Sequence, residues 1–296
     1  MPEIIGHTQE RARLRQAILS GAFPQSVLFS GPESIGKQLV ALECAALLSG
    51  ASDFIPTPDW PHPLDVLIVR PEQVRVRGRL RTQKIGVETI RDLLFFLRET
   101  PHVQARVVII DDAHELSPSA QNALLKYAEE PLGKTFLIFI THEKGRLLDT
   151  LLSRLEERRF ALVPEEFLKS AFAKESAQLP DFFLRLGRPG MLRRAHDEPE
   201  AFRADKDDLA SLFRLSALSL AERTSLAERL SHDVPRAIRL LEWYVPGMHT
   251  RLLGEQEAKK VLRFAAFLEG LSEAVSRLRQ GDGSARFILE DVLLDV

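Results

Sequence analysis

One short stretch has the residue types and spacing to hold a phosphate: Gly31, then four residues, then Gly36 and Lys37, all preceded by the apolar run Val27-Leu28-Phe29. In such an arrangement successive backbone N–H groups and a helix N-terminus surround an anion, while the lysine reaches the outer phosphates. The next position departs from the G-x-x-x-x-G-K-[ST] pattern, because Gln38 presents an amide where a hydroxyl would meet Mg²⁺. The loop is therefore expected to hold phosphate and to handle Mg²⁺ poorly. Read alone, the stretch also fits a plain glycine turn between a core strand and a core helix. A second chemical element is Arg106-Val107-Val108-Ile109-Ile110-Asp111-Asp112, a buried strand delivering two acids to the edge where α/β sheets bind ligands. In P-loop proteins the first acid, here Asp111, holds Mg²⁺, usually through water. The second is normally Glu and orients the attacking water. Asp112 is one methylene shorter, and a misplacement of about 1 Å can cost on the order of a hundredfold in rate. Two acids capping a strand end are the plain alternative.

The elements that must position these residues alternate between strand and helix patterns. A helix is expected over Thr8–Leu19, with Leu14, Ala17 and Ile18 on one face, and the helix after the loop loses its pattern near Ser49-Gly50. Pro56, Pro58, Pro61 and Pro63 deny any regular element before a strand at Leu64–Val69. Val74-Arg75-Val76-Arg77 and Gly78-Arg79-Leu80-Arg81 read as a short basic hairpin, whose arginines are either solvated or placed to grip phosphates. Val87–Glu99 has helical apolar spacing, and Ser117-Pro118 caps and starts a helix that Pro131 prevents from extending. Phe136–Ile140 is another buried strand, ending at Thr141. After Phe160 only helical patterns follow. Val163-Pro164-Glu165-Glu166 is a helix start with acids in its first turn, so a boundary falls there. The expected division is an α/β domain over 1–163, a small helical domain over 164–204 and a helical bundle over 205–296.

Composition excludes several classes of function. A net charge of −2 gives no global basic field, so tight binding of nucleic acid by this chain alone is not expected. No apolar run approaches the roughly 20 residues that a bilayer requires, and Arg11, Arg13 and Arg15 interrupt any signal-peptide core, which places the chain in the cytoplasm without membrane contact. The single cysteine, Cys44, rules out an internal disulfide and any multi-cysteine metal site, and its apolar neighbours suggest burial. With its histidines scattered, the sequence predicts neither structural zinc nor another metal.

Asp111-Asp112-Ala113-His114, Gln121-Asn122-Ala123-Leu124-Leu125-Lys126, Glu129-Glu130-Pro131 and Ser153-Arg154 resemble, in order and spacing, the AAA+ clamp-loader subunits of bacterial replicases. Ile5-Gly6-His7 and Phe23-Pro24-Gln25-Ser26 running into Gly31-Pro32 resemble the same family, and the tail Ala285–Glu290 looks like its last helix. The likeness is dense over residues 3–160 and is greatest to delta-prime subunits, the rigid, weakly or non-hydrolysing kind of the DNA polymerase III clamp loader. Gln38 and Asp112 fit that kind.

The resemblance implies an AAA+ P-loop domain with a parallel sheet, a helical lid and a C-terminal helical collar through which subunits form a ring. It implies as partners an ATPase motor subunit and a delta-like subunit, with the sliding clamp met indirectly and primer-template DNA only within the complex. No cofactor is required, although ATP or ADP bound weakly through Gly31, Gly36, Lys37 and Asp111 is compatible. It places Thr141 at the polar sensor position near the terminal phosphate, where a hydroxyl closing a strand end is equally good. At the lid's turn, here Gly187-Arg188-Pro189-Gly190, the family carries a glycine motif whose arginine in active members reaches the nucleotide; Arg193 and Arg194 are candidates, as are solvated roles for both. Arg154 matches the arginine presented in trans to the next subunit's nucleotide. Without the family context, pairing with Glu156 or Glu157 would explain it. Two departures stand out. The family's four-cysteine zinc module is absent from the proline-rich stretch, and Leu155 replaces a small cysteine after Ser153-Arg154. An active motor ATPase would carry Ser or Thr at position 38 and Glu at position 112, and a small-molecule phosphotransferase would not explain residues 122–131.

Overall fold

The computed structural model describes residues 4–51, 65–76, 79–97, 105–173, 181–253 and 258–295. The proline-rich stretch at 56–63 and the hairpin tip at 77–78 lie outside them. The chain divides into two compact units, one formed by 1–72, 83–180 and 187–191, the other by 73–82, 181–186 and 192–296. Among the described residues no helix is long and apolar enough to cross a membrane.

The first unit holds a five-stranded sheet of β1 (Ser26–Ser30), β2 (Val66–Val69), β5 (Arg106–Ile110), β6 (Thr135–Thr141) and β7 (Glu156–Arg159), in the order β2-β5-β6-β1-β7. All four strand pairings are parallel. Their inner strands are nearly continuous apolar runs because helices cover both faces. Alternation then sorts the side chains. Val27, Phe29, Val107, Ile109, Ile138 and Ile140 face a core shared with Leu14 of α1 (Thr8–Leu19) and with Val40, Cys44 and Leu48 of α2 (Lys37–Ser49). Leu28, Val108, Ile110, Leu137 and Phe139 face the other way, against Ile90 and Leu93 of α3 (Val87–Phe96) and Leu124 of α4 (Pro118–Glu129). Cys44 is buried, as its neighbours suggested. Leu155 joins the second cluster beside Leu147 and Leu151, so the bulkier neighbour of Arg154 packs inward.

Local signals act where expected. Ser117 Oγ accepts a hydrogen bond from the Ala120 N–H at 3.2 Å, with Pro118 in the first turn of α4. The strand expected from Leu64 is β2, from Val66, and the helix expected to Glu99 is α3, ending at Phe96. The edge strand β7 was not expected. Its sequence Glu-Glu-Arg-Arg has no apolar run, because it lies at the sheet margin where charge blunts an open edge. α5 (Asp149–Leu152) precedes β7 and α6 (Glu165–Ala171) succeeds it, with Pro164 and two acids at its start.

The second unit contains a two-stranded sheet, β3 (Glu72–Val76) with β4 (Arg79–Gln83), which is the expected hairpin. Its remaining elements are helical, including Pro199–Phe213, Leu220–Ser231, Val234–Leu253, Ala258–Gln280 and Ala285–Leu294. Leu209, Leu212, Leu226, Leu230, Trp243, Tyr244 and Leu271 are buried. The buried acids Asp205 and Asp208 are gripped by Arg194, Arg229 and Arg236, with Arg236 reaching both at 2.6 and 2.8 Å. Arg194 also pairs with Glu198, so its charge is spent inside this unit.

Candidate functional site

The parallel register sets Ser30 beside Thr141, and Ile110 beside Phe139 on the next strand, so the glycine loop, the acid pair and the residues after β6 emerge from one sheet edge. This is the carboxyl edge of an α/β sheet. Gly31 has φ 140°, and a Cβ built on it would lie 2.1 Å from the Phe160 carbonyl oxygen. Only glycine fits, because Phe160 N–H bonds to Ser30 O at 2.8 Å and holds the two backbones together. Gly36 has φ 101° with open space around it, so its requirement is conformational alone. Ser34 adopts φ 61° although it is not glycine.

The loop's carbonyls are all engaged. Lys37 Nζ donates to Gly31 O at 2.7 Å and to Pro32 O at 2.5 Å, Arg188 donates to Glu33 O at 2.5 Å, Gly190 N–H to Ser34 O at 2.8 Å, and His7 Nε2 to Ile35 O at 2.9 Å. A Cβ on Gly190 would lie 2.9 Å from Ser34 O, which explains glycine there. Arg188 was not among the arginines singled out from the sequence. The signal was present in Gly187-Arg188-Pro189-Gly190, but the turn's packing on the loop backbone has no periodicity to announce it.

Lys37 is 6% exposed, and burial pushes its ammonium down to about 8 against partial support from Asp112, Glu33 and Asp111. The unfolded lysine, with its ordinary value, binds more protons than the folded one between about pH 8 and 10.5, so stability should rise with pH across that window. In chemical denaturation the stability of wild type relative to Lys37→Met should rise by about 2 kcal/mol from pH 8 to pH 10, the comparison cancelling other groups that titrate in that window.

Beyond β5, Asp111 Oδ1 accepts the Asp112 N–H at 3.1 Å, and burial together with the Asp112 charge pushes Asp111 up to about 6. Asp112 stands in the left-handed region at φ 50°. Burial works to raise its pKa, but a hydrogen bond from His142 and the charges of His114, His142 and Lys37 bring it below the ordinary value. His142 Nδ1 lies 3.6 Å from Asp112 Oδ1, and His142 Nε2 lies 3.3 Å from Glu143 Oε1. Burial alone would lower His142, yet these two carboxylates raise it to about 9, while burial and the His142 charge push His114 down to about 4. At neutral pH a histidine cation therefore sits against the second acid. Thr141 Oγ1 is 3.3 Å from His114 Nδ1 and accepts the Glu143 N–H at 3.0 Å. The donor set fits a nucleotide's Mg²⁺ poorly: position 38 has no hydroxyl, Asp111 accepts the Asp112 N–H, and Asp112 is engaged with His142.

Arg154 lies apart from this cluster, between α5 and β7. It is 32% exposed, its Nε donates to Glu129 Oε2 at 2.9 Å, and one terminal nitrogen donates to Thr150 O at 2.7 Å. Glu156 pairs instead with Arg158, and Glu157 with Lys144 and Arg159.

The chain is similar to subunits of bacterial DNA polymerase III. The DNA polymerase III subunit delta' of Pseudomonas aeruginosa is 32% identical over 189 residues, covering 58% of this chain and 55% of that protein. The gamma/tau subunit of Mycobacterium tuberculosis (strain H37Rv) is 31% identical over 58% of this chain and 30% of that protein. This chain thus spans about half the length of its delta' relative and less of gamma/tau. A crystal structure of a DNA polymerase III gamma subunit-related protein from Thermotoga maritima superposes with a TM-score of 0.56 over 96% of this chain and 97% of that one; at 20% identity it attests the fold. A family model described as DNA polymerase III, delta subunit, matches residues 6–163. That is more than half of the sequence and includes the loop, the acid pair and Arg154, and on it the chain belongs to the DNA polymerase III delta subunit family.

Proposed function

We propose that this chain is a delta-prime-like clamp-loader subunit that does not hydrolyse ATP itself and instead scaffolds the loader ring during DNA replication. The observation that carries the reading is the state of the nucleotide loop. The cation that should reach the phosphates is bonded to the loop's own carbonyls, and the acid that should orient water is paired with a histidine cation. Gln38 removes the hydroxyl ligand as well. Three requirements of phosphoryl transfer are thus weakened together. Residual nucleotide, if bound, would use Gly31, Gly36 and Lys37 with little help from metal, Asp111 and Thr141 lying at the same sheet edge. Its partners are an ATPase motor subunit and a delta-like subunit, with the sliding clamp and primer-template DNA engaged through the assembly.

Arg154 supplies the active contribution, as an arginine presented in trans to a neighbouring subunit's nucleotide. The likeness to gamma/tau supports a motor ATPase as the second reading. That reading predicts turnover by the purified chain, on the order of 1 per second, abolished by Lys37→Ala. We expect none above background in a phosphate-release assay. Calorimetry with ADP should give weak binding that hardly changes on adding EDTA; submicromolar affinity that collapses with EDTA would restore Mg²⁺ to the site and sink the scaffold reading.

A further inference from the structure

Asp112, His114 and His142 each offer one ligand atom, and these atoms lie within 4.8 Å of one another. We propose that the three side chains form a transition-metal site selective for Zn²⁺ and its first-row neighbours over Mg²⁺ and Ca²⁺. Two imidazoles and one carboxylate suit zinc, cobalt and nickel, whereas Mg²⁺ and Ca²⁺ take oxygen ligands. In the sequence, a single cysteine and histidines far apart in the chain speak against zinc. Folding removes the second premise, since His114 follows β5 and His142 follows β6, and those strands pair in register from Arg106 with Thr135 to Ile110 with Phe139. The rings of His114 and His142 meet edge to face with centroids 4.1 Å apart.

Both rings are also held from outside the triad. His114 Nδ1 is 3.3 Å from Thr141 Oγ1, and His142 Nε2 is 3.3 Å from Glu143 Oε1. A hydroxyl or carboxylate on the far nitrogen is how proteins fix the tautomer and orientation of a ligating histidine. This assigns His114 Nε2 and His142 Nδ1 as the ligating atoms, and His142 Nδ1 already faces Asp112 Oδ1 at 3.6 Å. Ligand atoms about 2.1 Å from a tetrahedral zinc stand roughly 3.4 Å apart, so the triad must contract by about an ångström. Asp112 can supply most of that movement, because its side chain is 46% exposed while His114 is 4% exposed. Three protein ligands leave the fourth position to water, as in zinc sites that stay open.

The site does not depend on the clamp-loader reading. It is tested on the full-length, tag-free protein, dialysed against a chelator and titrated with Zn²⁺ by calorimetry at pH 8, then with Co²⁺ by visible absorption. The expected result is one equivalent of Zn²⁺ bound at about 1 µM or tighter, with cobalt bands of a four- or five-coordinate ion. His114→Gln and His142→Gln should each weaken binding at least tenfold, and Thr141→Val, which removes only the orienting hydroxyl, by about tenfold. Far-UV circular dichroism verifies folding of each variant; should a histidine variant unfold, Asp112→Asn provides the ligand deletion in its place. Excess Mg²⁺ should not compete. Absence of Zn²⁺ binding, or binding unchanged by these substitutions, would overturn the assignment.

Discussion

Alanine at position 154 should, on the in-trans role proposed for Arg154, slow ATP hydrolysis by a reconstituted loader by about 10³-fold, while the isolated chain stays folded and still assembles. A guanidinium supplied by a neighbour neutralises charge developing on the transferred phosphoryl group, and such arginines contribute on the order of 10³ to 10⁵ in rate. In the free subunit Arg154 is held by Glu129 and the Thr150 carbonyl at a partly exposed position. An exposed ion pair of this kind is worth at most about 1 kcal/mol, so exchanging Glu129 for a phosphate costs little beside what the phosphate returns. The brief α5 turn and the inward anchor Leu155 fix the backbone on either side, leaving the side chain as the part that moves. Arg154→Lys should rescue little, because an ammonium lacks the planar fork that meets two phosphate oxygens. Glu129→Ala, which frees the arginine, should leave the rate near wild type. Single-turnover hydrolysis by reconstituted loader, with assembly verified by gel filtration, decides. Equal rates for Arg154→Ala and wild type at equal assembly would take Arg154 out of the mechanism.

Arg106→Met should destabilise the first unit by about 3–5 kcal/mol, the range for removing one partner of a buried ion pair. Arg106 and Asp65 are each 1% exposed and lie 3.2 Å apart. The guanidinium also donates to Phe96 O at 2.6 Å and stands 4.4 Å from the centre of the Phe96 ring. It therefore ties the start of β5 to the residue before β2 and to the end of α3. Methionine fills much of the volume but takes the Arg106 guanidinium away from the buried Asp65 carboxylate. The double variant Arg106→Met, Asp65→Leu should regain most of the loss, since replacing both charges by apolar groups is often close to neutral. Thermal unfolding followed by circular dichroism should show a first transition lowered by about 10 °C in the single variant. A double variant no more stable than the single one would mean that the aspartate's hydrogen bonds, not its charge, hold this corner.

Much of the first unit could be read from the sequence because its signals are local. The run Val27–Phe29 into Gly31, the acids after Ile110, and the Ser117-Pro118 start of α4 each depend on a few adjacent residues, and the structure places them on β1, after β5 and on α4. What escaped the sequence depends on distance through space. Strand order leaves no periodic trace, and β7 hides because an edge strand of Glu and Arg resembles a solvated loop. Arg154 had Glu156 and Glu157 as its nearest acids in the chain, yet β7 turns those toward Arg158, Lys144 and Arg159, and the helix end at Glu129 comes forward instead. His142 gave no sign of meeting Asp112, since only the pairing of β5 with β6 brings them together. Arg188, rather than Arg193 or Arg194, reaches the loop, from the turn that precedes them.

The five carbonyls from Gly31 to Ile35 are engaged by donors from three separate places in the chain: residue 7, residue 37 and residues 188–190. Such a junction couples whatever happens at its ends. A ligand that prefers an opened loop must release the anchors it displaces, and a protein surface that draws the 188–190 turn away lowers the cost of opening by the same amount. Linkage makes the two effects equal in free energy, whichever comes first. The loop can in this way report, through the exchange of its backbone amides with solvent, whether the 188–190 turn has been drawn away.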